Sequence, residues 1–194
     1  MTSAPDPIGL FRAWAEEAVR AGREEPDAAA LATVDAEGRP SARMVLVRGV
    51  DERGFVFYTN LESRKGRELP AGAPSALCFW WPALAKQVRV EGRAARVVDA
   101  EADAYWKTRA RDSRVAAWAS KQSEELRGGS EELKARFDEL SKGLPPEVPR
   151  PPYWSGVRIV PDRIEFWEGR PHRLHHRVLY EREGVGWATR ILSP

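Results

Sequence analysis

The chain has 194 residues, 42% hydrophobic and 31% charged, enough apolar content for one buried core and the wrong composition for a disordered chain. Lys and Arg total 31 against 29 Asp and Glu, and the formal net charge of +2 argues against a dedicated nucleic-acid binder. The cations are lopsided, with 25 Arg and 6 Lys, so the position of each Arg carries more information than the total.

The start, MTSAPDPIGL, has no charged segment followed by a long apolar one, and no run reaches the roughly 20 apolar residues of a membrane span. A soluble, cytoplasmic protein with no membrane partner is expected. Asp6-Pro7 reads as a helix start, with Asp as N-cap and Pro in the first position. Leu10, Phe11, Trp14, Ala15 and Ala18 then recur at helical spacing, and Gly22 is the expected stop.

From Ala29 to Val98 the pattern changes to strands. Ala30–Asp35, Ser41–Val50, Phe55–Thr59, Ser75–Trp81 and Lys86–Val98 are rich in Val and aromatics and separated by glycine-containing turns. Their short spacing implies antiparallel pairing. Cys78, the single cysteine, excludes an intramolecular disulfide, and its place in SALCFWW predicts a buried thiol. Ser63–Leu69 predicts a short helix between strands. Asp99–Leu140 is helical in character, with Asp99 and Ser130 as candidate N-caps and Leu133, Phe137 and Leu140 on one face. Leu144–Trp154 is Pro-dense and predicts an extended surface connection. Strand signals return at Gly156–Val160, Arg163–Gly169, Arg177–Glu183 and Trp187–Leu192.

The pattern predicts one α+β domain over residues 1–194. Its parts are an N-terminal helix and loop (1–28), barrel strands (29–98), a helical segment (99–143) and C-terminal strands (144–194). A small antiparallel barrel with flanking helices suits the strands, because closure removes exposed edges.

Glycine loops of the Walker or Rossmann kind are absent from the sequence, as is a Ser-His-Asp grouping. His172, His175 and His176 cluster in HRLHH, but the flanks read as strand and loop and no cysteine or carboxylate joins them, so no metal site is expected. The informative residues are cations in or beside strands. Arg43 and Arg48 bracket MVLV, and Arg64-Lys65 follow the polar strand end YTN. Together with Thr59 and Ser63 they read as an anion site, best suited to phosphate. Tyr105, Arg109 and Ser113 stand at spacing four, on one face if a single helix runs through them, and can grip a second phosphate. A third cluster, Phe166–Arg177, joins strand aromatics to a cation-rich turn.

Six segments in order resemble the pyridoxine/pyridoxamine 5′-phosphate oxidase family. They are RMVLVR (43–48), FVFYTNLESRKGREL (55–69), QVRVEG (87–92), YWKTRARDSRVAAWASKQS (105–123), WSGVRIVPDRIEFW (154–167) and HRLHHR (172–177). The resemblance implies a Greek-key, split β-barrel that binds FMN at a homodimer interface. By that likeness Arg43, Met44, Val45, Leu46, Val47, Tyr58, Thr59, Arg64 and Lys65 would hold the flavin, with Arg43, Arg64 and Lys65 nearest its phosphate. Gln87 would meet the flavin ring region, and Gln122, Ser123, Trp167 and Arg177 would complete the site, some from the partner subunit. Substrate phosphate would meet Arg48, Tyr105, Arg109 and Ser113. Arg173, Leu174 and His175 would lie at the pyridine ring, with Arg173 and His175 as the catalytic pair.

The implied reaction is oxidation at C4′ by hydride transfer to flavin N5, with O2 as the final acceptor and hydrogen peroxide as its product. The sequence departs from the family pattern at Arg48 (usually Lys), Ala110 (usually Pro) and His176 (commonly acidic), and the N-terminal arm is expected to be short. Two alternatives stay open: a related FMN oxidase of the phenazine type, and a non-catalytic flavin or pyridoxal phosphate carrier.

Overall fold

The structure, a computed structural model, describes residues 6–194, so the leader reading over Met1–Pro5 lies outside the described residues. Helix α1 spans Pro7–Arg20. The Asp6 carboxylate accepts from the backbone N–H groups of Ile8 and Gly9, the N-cap expected from the sequence. Its apolar face carries Ile8, Phe11 and Ala18 into the core. Phe11 meets Phe55 and Phe79 edge-on, with centroids 4.9 and 4.8 Å apart.

Strands β1 (Ala28–Val34), β2 (Pro40–Asp51) and β3 (Gly54–Asn60) form a meander. A one-turn helix, α2 (Arg64–Arg67), precedes β4 (Pro74–Trp81), which returns to pair with β1 in a Greek-key step. Strand β5 (Lys86–Arg96) follows, then helices α3 (Asp99–Thr108), α4 (Arg111–Ala119) and α5 (Gly129–Gly143). Strand β6 (Trp154–Glu168) pairs with both β5 and β3, and closes a six-stranded antiparallel barrel in the order β3-β2-β1-β4-β5-β6. Strands β7 (His176–Glu183) and β8 (Gly186–Ile191) extend the sheet beyond β6. The fold is the flanked antiparallel barrel expected from the strand pattern.

Several local expectations are corrected. Gly156–Val160 and Arg163–Gly169 are not two strands but parts of β6. The β5–β6 register shifts between Glu91 and Gly92, so Asp162 is an extra residue in a bulge beside Pro161. Gly92 permits the close approach there, since a Cβ at that position would lie 2.0 Å from the Val160 carbonyl oxygen. Asp99 and Ser130 do not cap helices. Val98 and Gly128 occupy those positions without side-chain caps, and Glu132 reaches back to the Gly128 N–H instead. Residues 144–153 are not a surface connection throughout: Val148 is buried, and its carbonyl accepts from the Trp106 indole at 2.8 Å. Cys78 is half-buried, because it points to the outer face of β4, and desolvation raises its pKa.

Arg158, buried on β6, donates to Asp51 at 2.5 Å and Glu101 at 2.7 Å. These pairs tie α3 to the barrel and so position the helical wall of the site described next.

Candidate active site

A cavity of about 460 Å³ opens between the barrel and the helices. Met44, Val45, Leu46 and Arg48 reach it from β2, and Tyr58, Thr59 and Asn60 from β3. Lys65 of α2, Tyr105 of α3, Arg109, Ser113 of α4, Gln122 and Trp154 of β6 complete its chemistry. Strand β2 pairs with β3 only from Val47 onward, and residues 40–46 pair with β1 alone. The β3-side backbone of Met44–Leu46 therefore has no ladder partner and offers main-chain hydrogen-bonding groups to a ligand in the cavity. Val47 differs from its neighbours: its side chain is buried in the core.

At one end the polar end of β3 meets α2. The Lys65 ammonium lies 2.9 Å from Gln122 Oε1 and 3.2 Å from Thr59 Oγ1, and burial, reinforced by the Arg43 charge, lowers its pKa. The Ser123 hydroxyl accepts from the Arg64 backbone N–H at 3.1 Å. Behind Lys65, the buried Glu68 carboxylate holds two guanidinium groups. Its Oε2 accepts from Arg43 at 2.9 Å and from Ser41 at 2.7 Å, and its Oε1 accepts from Arg64 Nε at 2.8 Å. Thr33 also donates to Glu68. Burial alone would raise the Glu68 pKa, but hydrogen bonds from Thr33, Ser41, Arg64 and Arg43 pull it down to about 2.

At the other end aromatic rings wall the cavity. Tyr58 stacks on Tyr105 with centroids 3.8 Å apart and planes 9° apart, and Trp154 lies nearly parallel to both. Gly156 makes room for this stack, since a Cβ there would come within 2.9 Å of the Tyr58 ring. The Arg109 guanidinium lies 5.0 Å from the Trp154 ring centroid and donates to the Ser113 carbonyl at 3.0 Å. Its Nε is buried without a hydrogen-bond partner among the described residues. Burial lowers the Arg109 pKa, Tyr105 opposes that shift, and the Arg48 charge adds to it.

The single-helix picture of Tyr105, Arg109 and Ser113 is corrected. Helix α3 ends at Thr108, Arg109 and Ala110 are extended, and α4 starts at Arg111. The three side chains still share the cavity because the break turns the chain around it. Ala110, where proline was expected from the resemblance, has φ −56° and ψ 145°, a backbone that proline also adopts.

The other expected site residues form a separate group in this chain. Gln87, Trp167 and Arg177 stand in register across β5, β6 and β7. The His175 ring packs 4.6 Å from Trp167, and its Nδ1 accepts from the Arg170 N–H, so the neutral ring carries its proton on Nε2. His172 and Arg173 both have positive φ, 57° and 61°, a strained conformation for two non-glycine residues. Arg173 and Leu174 are exposed. His176 does not leave Arg177 without a carboxylate, since Glu165 accepts from Arg177 Nε at 2.8 Å. None of these six residues lines the cavity of its own chain.

Sequence reasoning missed Asn60, Ala116, Ala117, Ser120 and Trp154 as lining residues. It also missed Glu68, although a lone acid inside the cationic run SRKGREL was a visible signal.

A family model described as "Pyridoxamine 5′-phosphate oxidase" matches residues 15–142. The chain belongs to the pyridoxamine 5′-phosphate oxidase family. A second model of this oxidase family, the "Pyridoxine 5′-phosphate oxidase C-terminal dimerisation region", matches residues 154–194. The chain is 55% identical over 193 residues to the pyridoxine/pyridoxamine 5′-phosphate oxidase of Rubrobacter xylanophilus, covering 98% of this chain and 88% of that one. It is 56% identical over 193 residues to the protein of the same name from Myxococcus xanthus, covering 98% and 92%. Among solved structures it is similar to PhzG from Burkholderia lata in complex with tetrahydrophenazine-1-carboxylic acid, with TM-score 0.91, 37% identity, and coverage of 98% and 94%. An FMN-binding protein from Nostoc punctiforme shares the fold, with TM-score 0.77, 20% identity and full coverage of both chains. As an oxidase of this family the chain is an enzyme, and among its described residues no helix is long and apolar enough to cross a membrane.

Proposed function

We propose that this oxidase converts pyridoxamine 5′-phosphate and pyridoxine 5′-phosphate to pyridoxal 5′-phosphate, with FMN as its cofactor and O2 as the final acceptor. The observation that carries this reading is a cavity with cations at both ends. Lys65 stands at one, backed by Arg43 and Arg64, and Arg48 and Arg109 stand at the other. Such an arrangement suits two phosphate-bearing molecules lying together. The buried, unpartnered Nε of Arg109 supports an anionic ligand, because an unsatisfied buried donor costs about 1–3 kcal/mol until an acceptor arrives.

The residues present fit FMN. Lys65, Thr59, Arg64 and Ser123 supply donors suited to its phosphate, with Arg43 held behind them by Glu68. The open β2 backbone at Met44–Leu46 and the Gln122 side chain offer polar contacts of the kind a flavin ring requires. When bound, FMN would supply the two-electron acceptor for the hydride, with O2 as the final acceptor and hydrogen peroxide as its product.

The chain's own residues bind and orient the substrate. Arg48, Arg109, Tyr105 and Ser113 hold the substrate phosphate, and the stacked aromatic wall excludes water from that end. Arg173 and His175 lie against the pyridine ring. Arg173 stabilises charge at C4′, and His175 presents its Nε2–H. The His175 ring is held in advance of binding by Trp167 and the Arg170 N–H.

A homodimer places these residues. The dimerisation-region match covers β6, which carries Trp167, β7, which carries Arg177, the connection between them with Arg173, Leu174 and His175, and β8. In this reading those residues, with Gln87, complete the cavity of the partner subunit. The likeness to PhzG keeps a second reading, oxidation of a different small aromatic substrate.

The test is anaerobic mixing of the purified protein with pyridoxamine 5′-phosphate. A yellow protein that bleaches, and then recovers in air with release of peroxide, is expected. A yellow protein that a reduced phenazine carboxylate bleaches and pyridoxamine 5′-phosphate does not supports the second reading. A colourless protein that takes up no FMN overturns both.

A further inference from the structure

We propose that Asp27 is a positioning residue that sets the substrate preference of the cavity by holding Arg48 in its wall. This rests on the reading of Arg48 and Arg109 as the substrate-phosphate pair. Arg48 is the extra residue of a β-bulge, since Val47 pairs with Phe57 and Gly49 with Val56. A bulge re-aims its side chain relative to the strand alternation. Arg48 accordingly lines two spaces at once, the main cavity and a groove of about 330 Å³ between α1 and β2. Its side chain is 42% exposed, so packing alone does not choose between them.

Asp27 lines that groove and fixes the guanidinium at its boundary with the cavity. Its Oδ2 accepts from Arg48 NH1 at 2.7 Å, and its backbone carbonyl accepts from the Val47 N–H at 2.9 Å. The carboxylate is thereby tied to the strand that carries its guanidinium partner. One nitrogen of the planar fork is used, and the remaining donors stay free for a ligand. The other charged groups nearby do not fix Arg48. Arg109 repels it from the cavity side, and in the groove Glu16 is paired with Arg20 at 3.8 Å and Arg12 with Glu52 at 3.5 Å. Without the Asp27 charge, Arg48 loses the partner that fixes its guanidinium, and the phosphate loses one of its two pre-set cations. Position 27 therefore acts through Arg48 on phosphate affinity and leaves the chemistry at C4′ alone.

The experiment uses the FMN-loaded enzyme with Asp27→Asn, Asp27→Glu and Arg48→Ala, singly and as Asp27→Asn with Arg48→Ala. Steady-state kinetics use pyridoxamine 5′-phosphate, with inorganic phosphate as a competitive probe. Asp27→Asn should raise KM and the phosphate inhibition constant together by about two- to fivefold, the range of a partly screened ion pair. It should leave kcat within about twofold, and Asp27→Glu should recover most of the loss. In the Arg48→Ala background the Asp27→Asn effect should vanish, as a double-mutant cycle requires of residues acting as one unit. A fall in KM would show the carboxylate competing with substrate, and would overturn the proposal. So would an unchanged KM, or an equal rise with and without Arg48. Arg109→Ala is the control: if it leaves phosphate preference intact, the phosphate-end reading itself is wrong. If Arg109→Ala abolishes the preference while Asp27→Asn does nothing, only the Asp27 proposal fails.

Discussion

Glu68 accepts from Arg43 at 2.9 Å with its carboxylate buried, and the same carboxylate takes Arg64 on its other oxygen at 2.8 Å. Two of the three cations expected to meet the flavin phosphate are thus aligned by one internal anion, and of the three only Lys65 lines the cavity, with no carboxylate partner among the described residues. A buried charge of this kind is tolerable only while its hydrogen bonds are complete.

Glu68→Gln should therefore weaken FMN binding and lower stability. The Glu68 pKa is depressed from 4.5 to about 2, so its contribution, on the order of 3 kcal/mol, is fully present above the unfolded value. It is lost as pH falls from about 5 through about 2. Denaturant unfolding of wild type and variant should differ at pH 7 and converge at pH 2. FMN affinity measured by fluorescence quenching should fall in the variant. A difference in stability that does not shrink on acidification would contradict this account.

Phosphate discrimination should collapse in Arg109→Ala. The substrate phosphate carries about −1.5 to −2 charges near pH 7, and a site built on two guanidinium groups loses most when that anion is missing. In wild type, free pyridoxine and pyridoxamine should be poor substrates. Arg109→Ala should cost kcat/KM strongly for the phosphorylated form and little for the free form. Arg48→Lys should be milder, since charge survives and only the fork geometry is lost. Equal losses on both substrates would assign Arg109 to structure or flavin.

Arg173→Ala should impair flavin reduction more than flavin binding. The side chain is exposed in its own chain and makes no hydrogen bond among the described residues, so melting temperature should stay near wild type. Loss of a charge-assisted contact of about 1.5–3 kcal/mol corresponds to a fall of roughly 10- to 150-fold in the anaerobic reduction rate. An unchanged rate with lost FMN would reverse the assignment.

Ala110→Pro should stabilise the fold. Ala110 has φ −56°, its N–H makes no hydrogen bond among the described residues, and Arg109 before it is extended. The position meets the conditions under which proline adds about 0.4–1 kcal/mol by restricting the unfolded chain. Chemical denaturation reads the gain, and a loss of stability would show that the ring collides with a neighbour.

The strand pattern, the Asp6 cap and the cationic strand ends could be read directly from the residues, because each depends on local periodicity or on a side chain unusual for its position. Eleven expected site residues (Met44, Val45, Leu46, Arg48, Tyr58, Thr59, Lys65, Tyr105, Arg109, Ser113 and Gln122) do line one cavity. Other features could not be read in this way. The merging of two strand signals into β6 depends on a bulge at Asp162, which exists only against the register of β5. The helix break at Arg109 was hidden because residues at spacing four look alike on one helix and around a turn.

Glu68 and Asp27 went unnoticed for a related reason. A carboxylate's role depends on which guanidinium stands within 3 Å of it, and Arg43 and Arg48 are 25 and 21 residues away along the chain. The residue types alone determined that this protein gathers cations and aromatics on an antiparallel barrel. Only the tertiary structure decided which cations are already paired and which face the cavity, because Coulomb and hydrogen-bond energies follow distance in space and not separation in sequence.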